Sequence, residues 1–266
     1  MARVLITGCS TGIGRASAIE LTKRGFEVVA TARRVDTLKD LDVTTKLALD
    51  VNDDASIASV RDAAGEIDVL VNNAGLGIHA PIEKGPIDAF RRVLETNVLG
   101  VVRMIQAFTP QMRERGRGVI VNVSSIAGRV SAPLGGFYSA SKYAVEALSE
   151  SLHYEVGHFG IRIAIVEPGG FDTSFGDNRL IFAVDEPPYD ALDKEWAEAQ
   201  GRLQGNAGER PGPEVVAQTV ADAVEGKEDK LRWPVGDDAN LILSVRASMN
   251  DEQFESTMRE TLKLTW

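Results

Sequence analysis

The stretch Ala2-Arg3-Val4-Leu5-Ile6-Thr7-Gly8-Cys9-Ser10-Thr11-Gly12-Ile13-Gly14-Arg15 decides how the remaining sequence is read. An apolar, β-branched run comes first, then a turn with three glycines, then a helical pattern as far as Arg24. The three glycines do different work. Gly8 permits a tight turn, Gly12 lets the backbone approach a pyrophosphate, and Gly14 lets a helix pack closely on a sheet. N–H groups at the helix start, around Ser10, Thr11 and Ile13, would then face the anion. Glycine is also common in turns with no ligand. The placement between a strand and a helix, in a strand–helix–strand unit ending near residue 32, favours a nucleotide site over a purely structural turn.

Outward from this turn the same alternation continues. Apolar runs at Ala2–Thr7, Phe26–Ala32, Lys46–Asp50, Ile67–Asn72, Gly118–Ser124 and Ile161–Glu167, with a weaker one at Leu231–Val235, are separated by helical patterns. They are nearly continuous in apolar residues, as strands covered on both faces are. The pattern predicts an α/β fold: a doubly wound, seven-stranded parallel sheet with helices on both faces, in one domain over 1–266. Helices are expected over Ile87–Arg115, where Pro110 should bend or end the helix, and over 137–158, carrying both His153 and His158. A further helix at Glu214–Glu225 has Val215, Val216, Thr219, Val220 and Ala223 as its apolar side. One strand and two short helices complete 213–266. Residues 1–175 read as a cofactor-binding and catalytic core, and 176–212 as a substrate-side lid, acidic from Asp185 to Glu198 and then glycine-rich at Gly201, Gly205 and Gly208.

Composition narrows the function. The 266 residues carry 29 basic and 39 acidic side chains, a formal charge of −10. Phosphate contacts need a basic face, so nucleic acid is an unsuitable partner, and so is an anionic membrane surface. Cys9 is the one cysteine, which permits neither an internal disulfide nor a cysteine-rich metal site. With no apolar run approaching ~18 residues and no signal-peptide pattern, a cytoplasmic location is expected. His79, His153 and His158 are scattered without a partner motif, so neither a metal centre nor a serine hydrolase is indicated.

The chemistry rests on a second group of residues. Tyr138 and Lys142 are four apart on one helix, on the same face and about 6 Å along its axis. A free phenol, with a pKa of about 10, is a poor base at neutral pH. An ammonium one turn away favours the phenolate and would suit Tyr138 to proton transfer. Ser125, at the end of a strand thirteen residues earlier, could bond a substrate oxygen and hold it against Tyr138. Asn97 sits in a helix, where an amide is mildly unfavourable, and a bond to neighbouring backbone at a kink is one explanation.

Taken together, Thr7-Gly8-x-x-x-Gly12-x-Gly14, Asn72-Asn73-Ala74-Gly75, Thr96-Asn97-Val98-x-Gly100, Ser124-Ser125, Tyr138-x-x-x-Lys142 and Pro168-Gly169 with Thr173 resemble the short-chain dehydrogenase/reductase family over about residues 2–175. The pattern looks most like members acting on retinol, steroids or similar alcohols and ketones. The resemblance implies a nicotinamide-dependent oxidoreductase of Rossmann fold with Asn97, Ser125, Tyr138 and Lys142 as its catalytic set. It implies that Lys142 bonds the nicotinamide ribose, and that Asn97 holds a water relaying protons from Lys142. By the same resemblance Asp50 accepts from the adenine amine, and the Val51 amide bonds a ring nitrogen. Asn73, Ala74 and Gly75 would line the ribose, while Pro168, Gly169 and Thr173 hold the nicotinamide. Phe137, Phe171 and Phe175, with Leu134 and Ile78, are candidate walls of an apolar pocket or else core.

Cofactor choice turns on the end of the second strand. An NAD enzyme usually has an acid there for the ribose 2′-hydroxyl. Here Ala32 stands in that place and Arg33 and Arg34 follow. A guanidinium is a planar donor fork suited to a 2′-phosphate, and Ser10 could add a hydroxyl. NADP(H) is therefore expected, with NAD(H) open if Asp36 reaches the hydroxyl from a longer strand. The partner is a small alcohol or carbonyl compound. Apolar residues of the two long helices, among them Val98, Val101, Val102, Ile105, Ala147, Leu148 and Leu152, point to a homodimer or homotetramer. A catalytically silent dinucleotide-binding sensor of the same fold is the alternative, though a sensor need not keep all four catalytic residues.

Overall fold

In the computed structural model, which describes residues 1–203 and 210–265, seven strands form one parallel sheet. They are β1 (Arg3–Ile6), β2 (Glu27–Ala32), β3 (Thr45–Ala48), β4 (Val69–Asn72), β6 (Gly118–Val123), β7 (Ile161–Pro168) and β9 (Arg232–Val235), in the order β3-β2-β1-β4-β6-β7-β9. A separate parallel pair joins β5 (Ile78–His79) to β8 (Leu180–Ile181). The chain runs outward from β1 to β3, then crosses back to place β4 on the other side of β1. Strand order reverses between β1 and β4, so the crevice at their carboxyl ends is where such sheets bind ligands.

Alternate strand residues enter different cores, which is why the strand sequences are apolar throughout. Val4 and Ile6 of β1 pack with Val28, Ala30, Val71 and Val121 under α1 (Gly12–Lys23) and α7 (Glu214–Glu225). Leu5, Val29, Leu70 and Ile120 face the opposite side, against α2 (Asp54–Ala64), α4 (Gly100–Arg115) and α5 (Gly136–Val156). Both faces are covered by helices, as the sequence predicts. The C-terminal helices α8 (Asp237–Ser248) and α9 (Asp251–Leu262) follow β9. No helix among the described residues is long and apolar enough to cross a membrane.

Several local expectations are corrected. Of the two outcomes expected at Pro110, a bend or an end, the helix does not end there but continues to Arg115. A proline inside a helix costs about 3 kcal/mol, but Met104, Phe108 and Met112 are fully buried on the same helix and stabilise it by more, at about 1.5–3 kcal/mol each. The irregularity lies elsewhere: α3 (Ile87–Leu94) joins α4 through a π-helical turn, Glu95–Leu99, which contains Asn97. On α7 the buried stripe is Val216, Ala217, Val220, Ala221, Ala223 and Val224, and Val215 is exposed. His158 lies beyond α5, in a short 3₁₀ turn. Between β7 and α7 the described chain contains β8 and α6 (Asp190–Leu203). Gly205 and Gly208 fall outside the described residues.

Candidate active site

The loops that leave β1, β4, β6 and β7 converge at the crevice. Gly8 (φ +75°) and Gly12 (φ +56°) occupy left-handed backbone that other residues adopt at a cost. A Cβ on Gly14 would stand 2.3 Å from the Gly8 carbonyl oxygen, so the start of α1 packs onto the turn only with glycine there. Thr11, the N-cap of α1, makes no side-chain cap bond, which leaves the first-turn N–H groups for an anion. The Thr7 hydroxyl accepts from the N–H groups of Asn73 and Ala74, both at 2.9 Å. Asn73 Nδ2 donates to the carbonyls of Thr7 (2.9 Å) and Gly8 (3.2 Å). The Asn73 side chain thus ties the β4 loop to the β1 loop. Thr173, beyond β7, comes against Gly12, its Cβ 3.5 Å from where a Gly12 Cβ would stand.

Tyr138 and Lys142 lie near the start of α5, and the Lys142 ammonium sits 5.7 Å from the centre of the Tyr138 ring. Lys142 is 6% exposed and donates to the Val123 carbonyl at 2.8 Å. A lysine has three donors, so the others are open towards Gly75, where a side chain would come within 4.0 Å of Nζ. Ser125 closes the group: its hydroxyl accepts from Ala127 N–H (3.1 Å) and donates to the Pro168 carbonyl (3.4 Å). Asn97 is 1% exposed. Its Oδ1 accepts from Leu76 N–H (2.7 Å), and its Nδ2 donates to the Leu76 carbonyl (2.9 Å) and the Ser141 hydroxyl (3.0 Å). The bland explanation of that amide, a bond to backbone at a helix irregularity, is therefore met, with one Oδ1 lone pair left beside Gly75.

Burial dominates the electrostatics of the pair. It pushes the Tyr138 phenol up to about 12, against a smaller downward pull from Ser125. It pushes Lys142 down to about 8, opposed by the charge of Glu146. In the chain alone the ammonium therefore loses its proton before the phenol does. The ammonium that the helical spacing sets beside the half-buried Tyr138 is thus opposed by desolvation of both groups.

Sequence reading missed what lies behind Lys142. Glu146 and Glu167 are both buried. Arg232 Nε donates to Glu146 at 3.2 Å, and Arg129 reaches Glu167 at 3.2 Å. Burial and the repulsion of Glu146 push Glu167 up to about 7, with Arg129 and Arg232 opposing. These partners come from α5, β7, β9 and the loop after β6, so no spacing could show them. Cys9, buried, has its thiol pushed up to about 12 and is unsuited to nucleophilic work.

At the adenosine end, β2 stops at Ala32 and Asp36 falls in the following 3₁₀ turn, Val35–Leu38. Arg33 and Arg34 are exposed and have no acidic partner among the described residues. Arg15, which the sequence reading passed over, extends to the Thr37 carbonyl (3.5 Å) at the same corner. Asp50 accepts from Asn52 N–H at 3.0 Å, while capping of α2 falls to Asp53. Val51 is buried under Gly100.

On the substrate side, Phe137 and Ile78 cluster with Phe90, Leu76, Leu180, Phe182 and the Tyr138 ring. The Phe175 ring lies 5.6 Å from that of Tyr138. Phe171 instead belongs to the core beneath the sheet. His79, read as unpaired, has a partner: Asp193 of α6 at 2.7 Å. Lys84 adds a bond to the Pro187 carbonyl at 2.8 Å.

A nicotinamide dinucleotide fits these residues. Open helix-start donors suit a pyrophosphate, and the Lys142 ammonium, with one of its three donors bonded to Val123, suits a ribose hydroxyl. The family model for short chain dehydrogenases matches residues 2–180. The chain is 34% identical to the uncharacterized oxidoreductase YusZ of Bacillus subtilis, over 97% of both chains. It is 41% identical to a 3-ketodihydrosphingosine reductase of Bacteroides thetaiotaomicron, over 67% of both. A solved short chain dehydrogenase from Burkholderia cenocepacia in complex with NADP superposes with a TM-score of 0.78 at 26% identity, covering 100% of this chain and 98% of that one. With the glycine turn, the Tyr138–Lys142 pair and the parallel sheet all in place, the chain belongs to the short-chain dehydrogenase family and is an oxidoreductase that uses a nicotinamide dinucleotide.

Proposed function

We propose that the chain is an NADP(H)-dependent oxidoreductase acting between a ketone and a secondary alcohol, or an aldehyde and a primary alcohol, on a mainly apolar substrate. The observation that carries the reading is the convergence of Ser125, Tyr138 and Lys142 at the carboxyl ends of the strands, with the buried Lys142 ammonium 5.7 Å from the Tyr138 ring. When bound, the nicotinamide supplies the hydride for reduction or takes it up in oxidation. The turn residues Gly8, Ser10, Thr11, Gly12, Ile13 and Gly14 receive the pyrophosphate, and Asp50 and Val51 receive the adenine. Asn73, Ala74 and Gly75, with Lys142, hold the ribose, and Pro168, Gly169 and Thr173 the nicotinamide. Arg33 and Arg34 bind the 2′-phosphate, since neither has another acidic group to satisfy it.

Ser125 orients the substrate oxygen. Tyr138 gives that oxygen its proton in reduction and takes it back in oxidation. The Lys142 ammonium stabilises negative charge developing on the phenolic oxygen. Asn97 fixes the loop after β4 through Leu76 and holds the lysine's route to water on its remaining lone pair. The apolar cluster around Phe137, with Phe175 over Tyr138, favours a substrate with a hydrocarbon body. Residues 176–212 act as its lid, and among the described residues of that range the β5–β8 pairing and the His79–Asp193 bond fasten it.

The test is a panel of apolar ketones, aldehydes and alcohols, followed by nicotinamide absorbance. Turnover of at least one class is expected. Tight cofactor binding with no turnover across the panel would favour a sensor. The same reading includes a homodimer or homotetramer built on the two long helical stretches, where Ala147 and Leu148 of α5 are exposed beside Tyr143 and, in the π-helical turn, Leu99. Val101 and Leu152 of the expected surface are buried in the core instead. Light scattering at micromolar concentration should then give a mass of at least twice 28.7 kDa, and a monomer mass would refute it.

A further inference from the structure

Asp238 belongs to no motif and lies 68 residues beyond the loop it touches, yet its carboxylate is built into the end of β7. Oδ2 accepts from Gly170 N–H at 2.7 Å, and Oδ1 accepts from Ala239 N–H at 2.9 Å. Two glycines make room for it. A Cβ on Gly169 would stand 2.1 Å from Oδ1, and one on Gly236 2.7 Å from the same atom. Gly236 also turns the chain from β9 into α8 with φ +100°. The loop is then held at each successive residue. The Pro168 carbonyl accepts from Ser125 (3.4 Å), Gly169 N–H donates to Val235 (2.9 Å), Gly170 N–H donates to Asp238, and Phe171 is buried in the core.

We infer that Asp238 is a positioning residue, which fixes the Pro168–Gly169–Gly170 loop at the distance from Ser125 and Tyr138 that the nicotinamide ring requires. The inference rests on the cofactor placement proposed above. Gly169 is glycine here so that the carboxylate can reach the loop, whatever else its small size permits. Among the loop's anchors, the Asp238 bond is the charge-assisted one and therefore the strongest. Losing it frees Gly170 and lets the nicotinamide end wander while the adenosine end, on the far side of the crevice, keeps its contacts.

The experiment compares wild type, Asp238→Ala and Asp238→Asn. Each is titrated with NADPH, or NADH if the wild type prefers it, and with the matching adenosine fragment that lacks nicotinamide. Thermal midpoints and the isotope effect on kcat with cofactor deuterated at the transferred position are measured alongside. For Asp238→Ala the fragment should bind within twofold of wild type and the whole cofactor about ten- to a hundredfold more weakly. kcat should fall with an enlarged isotope effect. Asp238→Asn, which keeps an acceptor, should recover most of the loss. Equal weakening of fragment and cofactor, or no change in either, would overturn the positioning role while the proposed function stood. If the alanine variant does not fold, the asparagine variant decides by the same cofactor-to-fragment ratio. A wild type that binds the fragment no more weakly than the whole cofactor would overturn the nicotinamide placement and this inference with it.

Discussion

Replacing Lys142 with methionine removes a charge while keeping a side chain of similar length, and its effect can be sized from the structure. The ammonium stands 5.7 Å from the centre of the Tyr138 ring. At an effective dielectric constant of about 20, a unit charge at that range is worth about 3 kcal/mol to a phenolate. That corresponds to about two pKa units, or roughly a hundredfold in rate if the full charge develops. Because burial holds Lys142 near 8, the wild-type ammonium is present at pH 7 and lost as pH rises. The assay is kcat/KM for ketone reduction between pH 6 and 10 at saturating cofactor, which discounts the lost ribose contact. Wild type should show a falling alkaline limb. Lys142→Met should be about a hundredfold slower at pH 7, with that limb gone. Lys142→Arg, charged throughout, should also be flat but faster than the methionine variant. A methionine variant that retains the limb would show that Lys142 does not act through its charge.

Two other outcomes follow from neighbouring observations. The double change Ala32→Asp with Arg33→Leu should reverse a preference for NADP(H), measured as the ratio of the two cofactor dissociation constants. Equal affinity of the unmodified chain for both cofactors would remove the basis for that preference. Glu167, with its folded pKa near 7 against an unfolded value near 4.5, binds its proton more tightly when folded. Its contribution to stability is complete below pH 4.5 and is lost as pH rises through 7, amounting to at most about 3 kcal/mol. The thermal midpoint should therefore fall between pH 5 and 8.5, and Glu167→Gln should flatten that fall; an equal slope in both proteins would contradict the assignment.

The parts of this site that lie close in sequence were legible there. Helical spacing puts Tyr138 and Lys142 on one face, and continuous apolar strands such as Val4-Leu5-Ile6 announce a sheet covered on both sides. The strand boundaries shifted by only a residue or two. What stayed hidden depends on long-range assembly. His79 gained Asp193 across 114 positions and Asp238 reached Gly170 across 68. Phe171 looked equally suited to pocket or core, because an apolar ring satisfies either, and packing under the sheet decided. The Tyr138 pKa shows a different limit. Spacing supplies the ammonium neighbour, but the desolvation that raises Tyr138 and lowers Lys142 comes from residues that only the fold brings together.

The central claim, that Tyr138 passes the proton to or from the substrate oxygen, is tested most directly by Tyr138→Phe, which deletes one hydroxyl. Cofactor affinity and single-turnover reduction of a ketone should be measured on the same preparation as wild type. The account predicts cofactor binding within about twofold and a rate lower by about 10²–10⁴, the range of general acid catalysis. A phenylalanine variant that binds cofactor normally and reduces the ketone at near wild-type rate would contradict it.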